Sequence, residues 1–254
     1  MKAALAVTQV TADVERNVRG ILGAIAEASR ARADLVLFPE AAVTGLINNG
    51  DAAHDLRLGE PIPGPVTSRL AQAAREDSIY VGLGLLELDG DSLYDSAVLL
   101  DRRGQLILKH KRISPGWRDR DCDTRVYREG DAVGHADTPL GSFAFLICGD
   151  LFEKGMAERV RDMQVDYLLY PVARCFGDGT YDHQLWDGEV KGEYVRQAAL
   201  TGTTVLMVNY LATKEFDWGT FGGAMVLSPS GGILAEFPIG RTGLLVVDVP
   251  RARL

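Results

Sequence analysis

The segment FAFLICGDLF (Phe143 to Phe152) joins a nucleophile to a turn. An apolar run leads into Cys148, then Gly149 and Asp150, and then a predicted helix. A cysteine at such a strand-to-helix turn is lifted out of its sheet, and the backbone N–H groups after it point at whatever binds there. A helix N-terminus favours the thiolate, the form that attacks carbon. Gly149 permits a close approach that a side chain would block. A second group is Glu40, in DLVLFPEAAVTGL (Asp34 to Leu46), just beyond an apolar strand and after Pro39. A carboxylate at a strand end against apolar walls has its pKa raised and can carry protons as base and then acid. The third is LKHKRIS (Leu108 to Ser114), a cationic strand end able to hold a developing oxyanion. Each has an ordinary reading when taken alone: a buried structural cysteine, an exposed loop glutamate, a solvated basic patch. Cys122 and Cys175 receive the structural reading.

These groups need a scaffold, and the hydrophobic pattern supplies one. Strands are expected over Lys2 to Val10, Leu35 to Phe38, Tyr80 to Leu88, Ser92 to Asp101 and Gln105 to Arg112. Further strands are expected over Phe143 to Ile147, Tyr167 to Tyr170, Thr203 to Asn209, Phe221 to Leu227, Ile233 to Glu236 and Leu244 to Val249. The turn SPSGG (Ser228 to Gly232) makes a hairpin of two of them. Helical periodicity covers Asp13 to Arg32, with Asp13 as N-cap, and Val66 to Glu76, Leu151 to Met163 and Gln184 to Leu200. Ser114 to Gly134 is polar and irregular. Strands alternating with helices along the whole chain, without repeat or linker, predict a single α/β layered domain over residues 1–254.

Composition narrows the function. Of 254 residues, 46% are apolar and 24% charged, as in a water-soluble globular protein. The net charge of −8 argues against a nucleic-acid partner, which needs a basic surface. Three cysteines do not make a disulfide framework, so a reducing, cytoplasmic setting is expected. No run reaches the roughly 20 apolar residues of a membrane span, and the N-terminal apolar stretch lacks a signal-peptide cleavage pattern. His54, His110, His135 and His183 have no metal-ligand spacing. The Gly-x-Gly of VGLGLL lies within a strand, without a phosphate-binding context.

LFPEAAVTG, LKHKRI and ICGDLF, in that order, resemble the glutamate, lysine and cysteine motifs of the nitrilase (carbon–nitrogen hydrolase) superfamily. VYREGD, DYLLYPVA, VLMVNYLA and FGGAMVLSPSGGILAEF extend the resemblance over nearly the whole chain. It implies a four-layer α-β-β-α sandwich of the nitrilase type and a homodimer or higher homo-oligomer. It implies hydrolysis of a small amide or N-carbamoyl compound with no metal or organic cofactor. In that scheme Glu40 deprotonates Cys148, the thiolate attacks, and a cation with the Gly149 N–H holds the oxyanion. Glu40 then protonates the departing amine, and water hydrolyses the thioester.

The sequence departs from the family pattern in three places. His110-Lys111-Arg112-Ile113 puts Arg112 where the lysine belongs. Strand alternation lets only one of Lys111 and Arg112 face inward unless a bulge intervenes, so position favours Arg112 and chemistry favours Lys111. Asp123 stands where a second glutamate is expected. The Arg-Ala-x-Glu-Asn helix signature is replaced by VKGEYVRQAALTG, with Glu193 and Arg196. These departures point to an outlying branch or to a member with altered activity. Arg174, after the strand carrying Pro171, is a candidate for holding a substrate carboxylate, with a structural ion pair as the other reading. Three alternatives accompany the amidase reading: nitrile hydrolysis at the same site, acyl transfer to an amine, and an inactive nitrilase-like binding or assembly subunit.

Overall fold

The computed structural model describes residues 1–177, 180–213 and 219–250. Among these residues fourteen strands run in chain order: β1 (Lys2–Val7), β2 (Gln9–Val10), β3 (Leu35–Leu37), β4 (Tyr80–Asp89), β5 (Ser92–Leu100), β6 (Leu106–Lys111) and β7 (His135–Thr138). They continue as β8 (Gly141–Phe145), β9 (Tyr167–Val172), β10 (Thr204–Asn209), β11 (Leu211–Ala212), β12 (Gly222–Leu227), β13 (Ile233–Ile239) and β14 (Gly243–Asp248). One six-stranded sheet has the order β14-β1-β3-β4-β5-β6 and the other β13-β12-β10-β9-β8-β7. In each sheet three strands are parallel, β1-β3-β4 and β8-β9-β10, and the flanking pairs are antiparallel.

Parallel neighbours need a crossover, and helices supply it. Val14–Arg30 and Pro65–Glu76 cover the outer face of the first sheet. Met156–Met163 and Lys191–Leu200 cover the outer face of the second. Between the sheets lies a third apolar core, in which Leu5, Leu37 and Leu99 meet Phe143, Phe145 and Leu206. The layers are therefore α-β-β-α, as the resemblance implied.

The first helix obeys the expected logic. Asp13 caps it by accepting from the Arg16 N–H at 2.9 Å, and Val18, Ile21 and Ile25 are buried. Val14, at the start of the helix, is exposed. Other boundaries shifted. The first strand breaks at Thr8 into β1 and β2, and β2 pairs with β11 at the ends of the two sheets. The predicted helix Leu151 to Met163 becomes a 3-10 turn, Cys148–Phe152, and then the helix Met156–Met163. Gln184 to Leu200 is helical but carries a π-helical stretch, Trp186–Val190. β7, within a segment too polar to read as a strand, went unpredicted.

Candidate active site

Glu40, Cys148 and Arg174 all lie just past the carboxyl ends of parallel strands, β3, β8 and β9, where open α/β sheets place their sites. Pairing with β4 continues past the end of β3: Phe38 N–H donates to Gly82 O (2.8 Å), Gly84 N–H to Pro39 O (3.0 Å) and Ala42 N–H to Gly84 O (2.9 Å). This path lays the Glu40 backbone directly over Gly84, where a Cβ would come within 2.5 Å of Glu40 Cα. The Gly-x-Gly that has no phosphate role thus serves the close passage of the glutamate. Glu40 is wholly buried. Burial first, and then the neighbouring Cys148 sulfur, push its carboxyl up to about 8 against the opposing pull of Arg112.

The cation that the structure sets beside Glu40 is Arg112. β6 ends at Lys111 with strand alternation intact, so successive side chains part. Lys111 turns outward, its Nζ 2.7 Å from Asp89 Oδ2 and 3.5 Å from the centroid of the Tyr94 ring. The structure therefore does not bring Lys111 to Cys148. Arg112 turns inward and is buried beside Glu40. Its Nη1 lies 2.5 Å from Glu40 Oε1 and 3.3 Å from Asp95 Oδ2, and its Nε donates to Ser114 Oγ at 2.8 Å. Nη2 faces Gly149, where a Cβ would come within 2.7 Å of it, and it has no hydrogen-bond acceptor among the described residues. Burial works against the guanidinium charge, but Glu40, Cys148, Asp95 and Asp150 outweigh it and hold Arg112 protonated.

Cys148 begins the 3-10 turn at φ 43°, in the sparsely populated left-handed region. Five hydrogen bonds hold it there. Tyr170 O–H donates to Cys148 O at 2.6 Å. Asp150 accepts from the Ile147 N–H (3.0 Å) and, from the segment after β6, the Ile113 N–H (2.9 Å) and Ser114 N–H (2.7 Å). His110 Nε2 stands 2.8 Å from the same carboxylate. Burial alone would raise Asp150, yet His110 and these N–H groups hold it below its ordinary value. The cysteine turn and the arginine segment are thus tied through one buried aspartate. The first N–H groups of a helical turn lack acceptors within it, so the Gly149 N–H is available beside Arg112 Nη2.

Cys148 and Arg112 line one cleft of about 450 Å³, suited to a small molecule, and Glu40 is buried behind Arg112. The carbon–nitrogen hydrolase family profile matches residues 2–254. This chain belongs to the carbon–nitrogen hydrolase family. It is 25% identical to the aliphatic nitrilase of Sinorhizobium fredii, over 95% of this chain and 85% of that one. It is 26% identical to nitrilase 3 of Arabidopsis thaliana, over 89% and 71%. A variant of the amidase from Nesterenkonia sp. AN1 superposes with a TM-score of 0.78 at 22% identity, covering 98% of this chain and 93% of that structure. The fold is that of nitrilase-superfamily amidases.

The other predicted residues of this carbon–nitrogen hydrolase divide. Arg174 lines the cleft beside Glu193, and Asn209 clamps its backbone by accepting from Arg174 N–H and donating to Arg174 O, both at 3.0 Å. Gly149 lines the cleft as expected. Asp123 does not reach it. It is exposed, paired with Arg125 at 2.7 Å, and held well below the usual carboxylate range by that bond. Spacing alone placed it near the cysteine, but the loop folds it back on its own neighbour. Cys175, read as buried, is half-exposed in the cleft wall. Cys122 packs near Trp117 and Tyr127, with its Sγ 3.3 Å from Arg118 Nη1.

Four site residues went unread in the sequence: Asp95, Ser114, Tyr170 and Asp150 in its tying role. Asp95 carried a signal, since a carboxylate inside the apolar strand LYDSAVLL demands a buried partner. No group of three or more His, Cys, Asp and Glu among the described residues is placed to hold a metal ion. None of their helices is long and apolar enough to cross a membrane.

Proposed function

We propose that this chain hydrolyses a C–N bond of a small carboxamide or N-carbamoyl compound through a thioester at Cys148. The observation that carries the reading is the buried Glu40–Arg112 pair at 2.5 Å, whose arginine lines one cleft with Cys148. Ionised Glu40 takes the thiol proton, and sulfur attacks the carbonyl carbon. The oxyanion is held by Arg112 Nη2–H and the Gly149 N–H. Glu40 returns the proton to the departing amine as the C–N bond breaks. A water then gives its proton to Glu40 and attacks the thioester. The collapsing intermediate expels the thiolate, Glu40 reprotonates sulfur, and the acid leaves.

A structural neighbour supports the amide reading. The Nesterenkonia amidase carries acrylamide added at its active-site cysteine in one variant and binds butyramide in another. A second reading, nitrile hydrolysis by the same groups, is favoured by relatives named nitrilases. Arg174 is proposed to hold a substrate carboxylate through a bidentate pair at the cleft rim. The test is ammonia release from a panel of amides, N-carbamoyl compounds and nitriles, with intact-mass detection of an acyl adduct. Turnover with an adduct on the wild type, and neither on Cys148→Ala, is the expected result. Turnover surviving in Cys148→Ala would overturn the proposal. An unchanged KM for carboxylate-bearing substrates in Arg174→Ala would remove the Arg174 assignment.

A further inference from the structure

Two carboxyl groups and one guanidinium share the buried floor of the site. Asp95 and Glu40 are each at most 1% exposed, and Arg112 Nη1 bridges Glu40 Oε1 and Asp95 Oδ2 at 2.5 and 3.3 Å. The second oxygen of each carboxyl, Glu40 Oε2 and Asp95 Oδ1, accepts from no N–H or hydroxyl of the described residues, so only a proton on one of the two carboxyls can supply a donor there. Among those residues no other cation pairs with either carboxyl. Lys111 is committed to Asp89, and Lys109 to Glu87, whose other oxygen accepts from Ser96. The other titratable groups packed around the pair include Cys148 after β8, Tyr170 on β9, Tyr194 on the helix Lys191–Leu200, Tyr210 after β10, and the His110–Asp150 couple. Two ionised carboxylates against one guanidinium would leave a net negative charge in the interior before any thiolate or oxyanion forms, and such a charge is costly.

We propose that Asp95 is a positioning residue that remains a neutral acid while Glu40 titrates, donating its proton to the Glu40 carboxylate and leaving the charge of Arg112 to the reacting oxygen. This rests on Glu40 acting as the base of the proposed function. With Asp95 neutral, the resting site (Arg112 charged, Glu40 ionised) and the tetrahedral state (Arg112 charged, oxyanion formed, Glu40 protonated) are both electrically balanced. With Asp95 ionised, both carry an uncompensated negative charge, and Arg112 is drawn from the oxyanion toward Asp95. The shifts agree in direction: burial, then the Glu40 charge, lift Asp95 well above its ordinary value. The hydrogen bond between the two lowers Glu40 as it raises Asp95.

The test uses carbon-13 NMR of the full-length protein labelled at aspartate side-chain carboxyls, across pH 6–9. One protonated carboxyl signal that does not titrate, present in the wild type and absent in Asp95→Asn, is expected. Its absence from the wild type would overturn the proposal whether or not Asp95→Asn folds and whether or not any substrate is found. A protein that turns over nothing would fail the proposed function and leave this readout standing. Where turnover is measured, Asp95→Asn keeps a donor and changes no charge, so the acid limb of kcat/KM should stay within about half a pH unit. Asp95→Ala removes the donor and should move that limb alkaline by about one unit. A limb shifted acid by a unit or more in Asp95→Asn would mean that an anion had been removed, and would overturn the proposal.

Discussion

Arg112 does with one planar group what a lysine would have to do with a point charge. Nε and Nη1 are spent on Ser114, Glu40 and Asp95, and Nη2 is left facing Gly149. Arg112→Lys keeps the charge and loses this division, so kcat/KM should fall about 100-fold, as for loss of an oxyanion donor. Lys111→Ala should change kcat/KM by less than about twofold, because its pair with Asp89 lies at the surface. The reverse ranking, measured on one substrate, would exchange the two assignments. Under the proposed mechanism the pH dependence comes from Glu40. A base must be ionised, and its carboxyl is pushed up to about 8, so kcat/KM should rise with pH through about 8, and Glu40→Gln should abolish the rise with the activity. The folded pKa also exceeds the ordinary value of 4.5. Folded Glu40 thus holds a proton that the unfolded chain has released, and its contribution to stability is lost as pH rises from about 4.5 through 8. Alternation along LKHKRI made the choice between Lys111 and Arg112 legible in the sequence as a dichotomy. The branch taken depended on which face of β6 meets the site, which no local pattern states.

At the scale of elements, the glutamate and cysteine motifs were readable because each joins an apolar strand to a turn. The structure of the chain just after Cys148 was not readable in that way. The start of the expected α-helix is a 3-10 turn, with the helix itself delayed to Met156, because Asp150 spends its carboxylate on Ile147, Ile113, Ser114 and His110, the last three from a segment about 37 residues away. Asp150→Ala would leave three N–H groups and a histidine without their acceptor. It should cost about 3–5 kcal/mol in urea denaturation, the range for breaking a buried charged pair. A loss under about 1 kcal/mol would mean that the turn is held by its own backbone. The crossing of Glu40 over β4 makes a comparable demand. Gly84→Ala puts a methyl group against Glu40 Cα and Pro39 O. Rigid backbone on both sides cannot yield, so the glutamate must move. Activity should fall about 100-fold or more, with the two-sheet circular dichroism spectrum retained.

The site belongs to neither sheet alone. Glu40, Asp95 and Arg112 come from the sheet built on β1, β3 and β4, whereas Cys148 and Tyr170 come from the sheet built on β8, β9 and β10. The gap between Glu40 and Cys148 is therefore set by the packing of one sheet on the other. The ordered motifs foretold both sheets, but single-strand patterns cannot say which faces meet across some 10 Å of core. Phe145 lies where that packing and the chemistry are closest. It is fully buried, stands three residues before Cys148, and sets its ring edge against Gly82 and Leu37 of the opposite sheet. Phe145→Ala should lower stability by about 3–5 kcal/mol. Because the inner faces then settle toward each other unevenly, kcat should fall about tenfold or more while KM, fixed by the cleft wall, stays within about twofold. Phe145→Leu, which fills most of the volume, should recover both. A Phe145→Ala protein that loses the stability but keeps its kcat would show that the Asp150 tie alone holds Cys148 against Glu40, with the core between the sheets serving only to keep the chain folded.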